Sequence, residues 1–269
     1  MATAPDLSGR TALLTGASGG IGNAIARALH RQGAEVKLSG RRAEVLEELA
    51  AELGDRAEVL PADLSDLDAV ASLAERAGAV DVLVNNACLP GSGLLNDYSR
   101  EELDRALVVN LHAPMRLTHA LLPGMLERGR GHLVFICSTA GKVALPGASL
   151  YSSTKFGLRA FAFSLHQDLR GSGVGVTTVF PGFISDAGMY ADTKVKLPPG
   201  MGTKPSWAVA DAVLTGIATN RPEIDVMAPV QRVGGLLFGT FPRLVAAVSR
   251  AGGGGKLAEQ MAEAQREKR

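Results

Sequence analysis

The chain has 269 residues, of which 46% are hydrophobic, and this suits either one large α/β domain or two small domains. Its formal net charge of +1 gives no electrostatic reason to expect a nucleic-acid partner. The two cysteines and five histidines show no metal-ligand spacing, so we expect free thiols in a reducing compartment and no metal site.

Seven short apolar runs alternate along the chain with segments of helical periodicity. Their apolar character is often continuous, which is typical of strands that are covered on both faces. The alternation predicts βαβ units in a single doubly wound Rossmann-type α/β domain, with a seven-stranded parallel sheet flanked by helices. The predicted strands cover residues 11–16, 34–40, 57–63, 80–87, 132–138, 174–180 and 223–229.

A glycine-rich loop follows the first predicted strand, where TALLTG continues into ASGGIGNAIARAL. Gly16, Gly20 and Gly22 therefore lie between a strand and a helix, which is the context of a dinucleotide-binding loop. A pyrophosphate needs backbone N–H groups and the positive end of a helix, and side chains would block its approach. We predict a dinucleotide site here, and a flexible glycine turn is the alternative.

The second predicted strand ends in Gly40, Arg41 and Arg42. An enzyme that prefers NAD usually carries an acidic residue at this point, where it accepts a hydrogen bond from the ribose 2′-hydroxyl. Here Gly40 takes that place, and the two arginines suit a 2′-phosphate through charge-assisted hydrogen bonds. We therefore predict NADP as the cofactor, with NAD as the alternative if the arginines only begin a solvated helix.

A tyrosine, Tyr151, precedes a lysine, Lys155, by four residues in the segment SLYSSTKFG. Positions i and i+4 share one face of a helix, so the two side chains can lie next to each other. The pair alone leaves two interpretations open, a catalytic pair or an ordinary helix surface.

Residues 185–204 are rich in turn formers and leave the carboxyl end of the sixth predicted strand. Ligands of open α/β sheets bind beyond such strand ends, so this segment is a predicted lid, and a plain surface loop is the alternative. The regions expected to line the pocket are poor in charge, which favours an apolar substrate. Their apolar residues are Leu89, Leu94, Leu145, Phe183, Met189, Tyr190 and Leu197.

The sequence divides into a dinucleotide-binding and catalytic domain, residues 1–230, and an apolar extension with a charged tail, residues 231–269. Residues 229–250 are markedly apolar, but Arg232 and Pro242 interrupt them, so a membrane-spanning helix is not expected. A subunit interface or packing on the core is the favoured interpretation. The alternative is that the segment folds over the pocket mouth or rests on a membrane surface and admits lipid-like substrates. The start, MATAPDLSGR, lacks the apolar core of a signal peptide, which predicts a cytoplasmic location.

Six motifs in register resemble the short-chain dehydrogenase/reductase family in its single-domain form. The resemblance implies an NAD(P)-dependent oxidoreductase that interconverts a carbonyl and a secondary alcohol, assembled as a homo-oligomer, either a dimer or a tetramer. A non-catalytic NADP-sensing regulator on the same fold is the alternative, although such proteins tend to lose the tyrosine or the lysine. The motifs are TGASGGIG (15–22), NNAC (85–88), Asn110 in VVNLHAP, Ser138 in ICSTAG, YSSTK (151–155) and PGFISDAG (181–188).

The resemblance implies catalytic roles for four residues. Tyr151 is then the general acid and base, and Lys155 binds the nicotinamide ribose and lowers the pKa of the tyrosine. Ser138 hydrogen-bonds the substrate oxygen, and Asn110 holds a water in a proton relay. The chemistry is consistent, because the ordinary tyrosine pKa of about 10 is too high for exchange near neutrality and a nearby ammonium lowers it.

The resemblance also implies the cofactor contacts: Asp63 and Leu64 would meet the adenine, and Asn86 and Ala87 would lie on the ribose side. Capping of a helix at 66–78 is the alternative role of Asp63. Two positions depart from the family pattern: Cys88 stands where NNAG has glycine, and Asp186 stands where a threonine is usual. The implied cofactor-binding residues are Gly16, Ser18, Gly20, Ile21, Gly22, Arg41, Asp63, Leu64, Asn86, Ala87, Tyr151, Lys155, Pro181, Gly182 and Ile184.

Overall fold

All seven predicted strands are present, and they pair in parallel in the order β3-β2-β1-β4-β5-β6-β7. The computed structural model describes residues 4–193, 195–197 and 201–265. Helices cover both faces of the sheet, so the predicted fold class is confirmed. The strands are β1 Thr11–Thr15, β2 Glu35–Ser39, β3 Ala57–Val59, β4 Val82–Asn85, β5 Gly131–Ile136, β6 Val174–Pro181 and β7 Glu223–Val226.

The helices follow the strands in the predicted alternation, and three further helices follow β7. A π-helical turn, Val108–His112, joins α4 to α5, and two 3₁₀ turns cover Leu95–Asp97 and Thr139–Gly141. The helices are α1 Gly20–Arg31, α2 Ala43–Leu53, α3 Leu67–Ala77, α4 Arg100–Leu107, α5 Ala113–Glu127, α6 Ser149–Asp168, α7 Gly188–Ala191, α8 Ser206–Thr219, α9 Pro229–Phe238, α10 Pro242–Ala251 and α11 Gly254–Gln265.

Two apolar layers hold these helices on the sheet. On one face α1 and α8 pack together and bury Ile25 and Val213. On the other face α3, α5 and α6 bury Leu73, Leu117 and Leu158. Each such side chain contributes about 1.5–3 kcal/mol when it is fully buried. With both faces covered, the carboxyl edge of the sheet is the place where a crevice can open.

The strand order reverses between β1 and β4, since β1 pairs with β2 on one side and with β4 on the other. The loops that leave these two strands therefore run to opposite faces of the sheet. Such a switch point opens the crevice in which ligands of doubly wound folds bind. The ligand-binding crevice is therefore expected at the carboxyl ends of β1 and β4.

The predicted lid, residues 185–204, contains α7 and is closed at its base. Ile184 and Lys204 form an isolated parallel bridge, in which the Lys204 amide donates to the Phe183 carbonyl at 2.9 Å. Residues 194 and 198–200 of the predicted lid lie outside the described residues.

The C-terminal extension is helical and packs on the body of the chain. The ring centroids of Phe238 on α9 and Phe156 on α6 lie 6.2 Å apart. On α11, Gln265 is only 2% exposed and donates to the Met189 carbonyl at 3.4 Å. The described end of the tail is therefore anchored against the lid. Within the described residues no helix is long and apolar enough to cross a membrane.

His132 is a buried ionisable group that links β5 to β6. Its Nε2 lies 3.0 Å from the hydroxyl of Thr177, and burial, with a smaller contribution from His166, lowers its pKa to about 4. A histidine in an unfolded chain titrates near 6.5. The unfolded state therefore binds more protons than the folded state as the pH falls from about 6.5 to about 4, and folding stability declines across that window.

We predict that wild-type protein loses about 2 kcal/mol more stability than His132→Gln between about pH 7 and about pH 5. Denaturant unfolding at both pH values measures this difference. His112→Gln, which changes an exposed histidine, should keep the wild-type pH dependence. An equal loss of unfolding free energy in wild type and His132→Gln between these pH values would contradict the prediction.

Candidate active site

Other backbone atoms lie very close to the glycine loop between β1 and α1. Gly16 has a φ of +67°, and a Cβ there would lie 2.8 Å from the Ala87 Cα. Any side chain at Gly22 would collide with the Gly16 carbonyl. Helix α1 begins at Gly20 with no acidic residue in its first turn and no side-chain cap, which leaves its N-terminal amides available to an anion.

Hydrogen bonds join this loop to the end of β4. The Thr15 hydroxyl accepts from the amides of Asn86 and Ala87 at 3.0 and 3.1 Å. The side-chain amide of Asn86 donates to the carbonyls of Thr15 and Gly16 at 3.0 and 3.1 Å. Asn86, a predicted ribose contact, thus fixes the shape of the glycine loop.

A cavity of about 1040 Å³ opens at the carboxyl ends of the strands. All the predicted cofactor-binding residues line it, although they come from loops that are distant in the chain. Three of the predicted apolar pocket residues, Leu89, Met189 and Tyr190, line it too. Phe183 stacks edge-on against Tyr190, with ring centroids 5.1 Å apart.

Arginines face the cavity beyond the end of β2. Arg42 donates to the Ser18 carbonyl at 2.5 Å, and Arg41 is exposed at the cavity wall. A Cβ at Gly40 would lie 3.1 Å from the Ser18 hydroxyl oxygen, which leaves little room for an acidic side chain.

A third arginine, Arg105, also lines the cavity, and sequence reasoning missed it. It lies on α4, and its Nε is buried with no hydrogen-bond partner among the described residues. Nothing in the segment REELDRAL distinguishes this arginine from a solvated one. Three guanidinium groups around one cavity suit an anionic ligand with several phosphates.

Asp63, a predicted adenine contact, lies at the same part of the cavity wall. Its carboxylate accepts from the amide and the hydroxyl of Ser65 at 2.9 and 2.8 Å. Burial would raise the pKa of Asp63, but these hydrogen bonds together with Arg41 and Arg105 hold it below its usual value. The alternative helix-capping role belongs to another residue, since Asp66 is the N-cap of α3.

Tyr151 and Lys155 lie near the start of α6, beside the end of β5. Lys155 is 2% exposed, and its ammonium donates to the Ile136 carbonyl at 3.2 Å and lies 5.7 Å from the centroid of the Tyr151 ring. Ser138 follows β5, and its side chain hydrogen-bonds Tyr151. The structure therefore brings three of the four predicted catalytic residues together.

The expected lowering of the Tyr151 pKa by Lys155 is not found. Burial raises the pKa of Tyr151 well above its usual value, Cys88 raises it further, and the Ser138 hydrogen bond opposes them. The Lys155 ammonium is directed at the Ile136 carbonyl rather than at the phenol oxygen. In this state the tyrosine holds its proton firmly.

Asn110 lies in the π-helical turn, behind the cavity wall. Its side-chain oxygen accepts from the Leu89 amide at 2.7 Å, and its side-chain nitrogen donates to the Leu89 carbonyl at 2.9 Å. Both ends of the amide thus hold the loop after β4, which packs on Tyr151: a Cβ at Gly91 would lie 2.9 Å from the Tyr151 Cβ. Asn110 therefore holds the loop that packs against Tyr151.

Comparison with known proteins agrees with this geometry. The family model described as short chain dehydrogenase matches residues 10–196. The chain belongs to this family. Two curated relatives of the short-chain dehydrogenase are nodulation protein G of Rhizobium sp. (strain N33) and ketoacyl reductase HetN of Nostoc sp. Nodulation protein G is 47% identical over 186 residues, an alignment that covers 68% of this chain and 76% of that protein. HetN is 38% identical over 227 residues, an alignment that covers 82% of this chain and 79% of that protein.

Solved structures show the same fold. An actinorhodin polyketide ketoreductase variant, determined with NADPH, superimposes on this short-chain dehydrogenase with a TM-score of 0.74 and 31% sequence identity. The match covers 99% of that chain and 85% of this one. This chain therefore carries residues that have no counterpart in that ketoreductase.

Two residues of this short-chain dehydrogenase depart from the expected motifs, and the structure gives each a partner. The Cys88 thiol donates to the Leu89 carbonyl at 3.3 Å and lies close enough to Tyr151 to affect its pKa. The Asp186 carboxylate accepts from the amide and the hydroxyl of Ser206 at 2.8 and 3.0 Å, at the start of α8. Asp186 therefore joins the lid to α8.

We predict that Cys88→Ser lowers the pKa of Tyr151, because a serine hydroxyl keeps the size of the thiol but carries no negative charge at high pH. Spectrophotometric titration of tyrosinate in both proteins measures the change, and Tyr151→Phe identifies the step that belongs to this residue. The pKa should remain above its usual value in Cys88→Ser, since burial persists. An unchanged midpoint would show that the thiol does not act on Tyr151.

Proposed function

We propose that this short-chain dehydrogenase uses NADP(H) to interconvert a carbonyl and a secondary alcohol on an apolar substrate. One observation carries the proposal: Ser138, Tyr151 and Lys155 meet beside a cavity that also holds a glycine loop and three arginines. The NADPH-bound ketoreductase structure and the ketoacyl reductase relative support the same reaction class.

The cavity wall fits the cofactor. The glycine loop and the first turn of α1 would hold the pyrophosphate through backbone amides. Arg41 and Arg42 would bind a 2′-phosphate, and Arg105 offers a buried Nε that has no hydrogen-bond partner among the described residues. When bound, the cofactor supplies or accepts a hydride at the carbonyl carbon of the substrate.

Tyr151 handles the proton of the substrate oxygen. A phenol that keeps its proton is the form that protonates the oxygen as a carbonyl is reduced, and burial holds Tyr151 in that form. Ser138 can donate a hydrogen bond to the same substrate oxygen as negative charge develops on it. Both groups are neutral, so both can donate a hydrogen bond to the oxygen of an uncharged ketone.

Lys155 supplies the positive charge. Among the described residues the buried ammonium has no carboxylate partner, and a cation left in that position is energetically costly. It lies one helical turn from Tyr151, where it would bind the nicotinamide ribose and stabilise a phenolate in alcohol oxidation. Asn110 keeps the Leu89 loop in place beside this pair.

We predict that Arg41→Ala weakens NADPH binding by roughly 10- to 100-fold and leaves NADH binding nearly unchanged, because a charge-assisted hydrogen bond is worth about 1.5–3 kcal/mol. Equilibrium titration of both cofactors measures this. Arg31→Ala, at the far end of α1, is the matched control and should bind like wild type. Equal affinity of wild-type protein for the two cofactors would contradict the NADP assignment.

We predict that Tyr151→Phe reduces turnover of apolar ketones by about 10²- to 10⁴-fold, the usual contribution of a general acid, while NADPH affinity changes little. NADPH consumption with a panel of aliphatic and aromatic ketones measures turnover. Tyr98→Phe, which alters a tyrosine outside the cavity wall, should keep activity. Tight NADPH binding with no turnover in wild-type protein would instead support the NADP-sensing regulator.

A further inference from the structure

Helices α9 and α10 expose apolar side chains to solvent. Neither helix contains a buried residue, and Leu236 is 74% exposed. Soluble proteins rarely leave a contiguous apolar patch uncovered, and a large one marks an interaction surface. The exposed apolar residues of the two helices are Val230, Val233, Leu236, Leu237, Leu244 and Val248.

The spacing of these residues places them in stripes. On α9, Val230, Val233 and Leu237 follow the i, i+3, i+7 pattern of one helix face, and on α10, Leu244 and Val248 are one turn apart. The two helices pack against each other, and the short connection between them exposes Phe241. The stripes therefore belong to one apolar surface, which we call the α9–α10 face.

The segment that forms the α9–α10 face carries charge of one sign, and of its cations Arg232 is paired with Asp225 of β7. Residues 229–258 contain four basic residues and no acidic residue. Arg243, Arg250 and Lys256 are exposed. An apolar helix face bordered by cations is the pattern of helices that lie in the headgroup region of an anionic bilayer.

This charge argues against a second copy of the chain as the occupant. A symmetric dimer would place the same patch against itself. The cations of each copy would then face cations of the other, with no acidic residue in the segment to compensate them. Anionic lipid headgroups pair with these cations, and the acyl region accepts the apolar side chains.

The α9–α10 face is fixed to the body of the protein, next to the candidate active site. At the base of α9, the Gln231 side chain lies against Gly182 of the cavity wall. It lies so close that a Cβ on residue 182 would collide with it. At the far end of the extension, α11 reaches the lid, where the Thr193 hydroxyl lies 3.8 Å from the Met261 sulfur. A surface bound by α9 and α10 would thus lie close to the cavity wall and the lid.

We propose that the α9–α10 face docks on an anionic lipid surface. The proposal concerns binding to the bilayer and stands independently of the reaction proposed above.

Flotation of the full chain with vesicles tests the proposal. Wild-type protein should bind vesicles of phosphatidylglycerol and phosphatidylcholine in equal amounts, and bind vesicles of phosphatidylcholine alone more weakly. The double variant Leu236→Asp/Leu244→Asp should bind the anionic vesicles at least tenfold more weakly, because it removes two apolar side chains from the bilayer and adds like charge. Trp207→Asp, an exposed apolar position on α8, is the matched control and should bind like wild type.

A second variant tests the electrostatic part without adding charge to the apolar face. Arg243→Gln/Arg250→Gln should lose the preference for anionic over neutral vesicles. NADPH binding of each variant, compared with wild type, reports the folded state separately from lipid binding.

Three outcomes would overturn the proposal. The first is no binding of wild-type protein to anionic vesicles, and the second is equal binding of wild type and Leu236→Asp/Leu244→Asp. The third is that wild-type protein does not bind lipid and that its mass by light scattering is that of an oligomer, whereas the mass of the variant is that of a monomer. This result would assign the face to a second copy of the chain.

Discussion

The parallel register of β1, β4 and β5 is the constraint on which the candidate active site depends. Parallel strands end at a common edge of the sheet, so the loops that follow them meet although they are far apart in the chain. Thr15 joins two of these loops directly, since its hydroxyl accepts hydrogen bonds from Asn86 and Ala87. A slip of one residue would turn Thr15 to the other face of the sheet and separate the glycine loop from the end of β4.

Burial and positive charge act in opposite directions on the catalytic tyrosine. Burial of Tyr151 favours the neutral phenol, and the Cys88 thiol adds to this effect. Lys155 is the nearby cation, but its ammonium is held by the Ile136 carbonyl. Tyr151 is therefore the neutral phenol, which is the form that reduction of a carbonyl requires, and reorientation of the ammonium toward the phenol oxygen would favour the phenolate that alcohol oxidation requires.

The sequence predicts the features that depend on local pattern, namely the seven strands, the glycine loop and the Tyr151–Lys155 pair on one helix face. It does not predict features that depend on contacts between distant residues. The two hydrogen bonds from Asn110 to Leu89 and the buried Nε of Arg105 arise only after the chain folds. Helical spacing predicts that Lys155 lies near Tyr151, whereas the surroundings that raise the pKa of Tyr151 come from distant parts of the chain.

The most direct test of hydride transfer at the Ser138–Tyr151–Lys155 site is to follow the transferred atom. Purified protein is incubated with an apolar ketone and NADPH that carries deuterium at the transferable position, and the product is examined by mass spectrometry. We expect wild-type protein to form a secondary alcohol with deuterium on the carbinol carbon, and we expect Tyr151→Phe to form almost none. Bound NADPH with no labelled alcohol from any apolar ketone, or equal labelling by Tyr151→Phe, would contradict it.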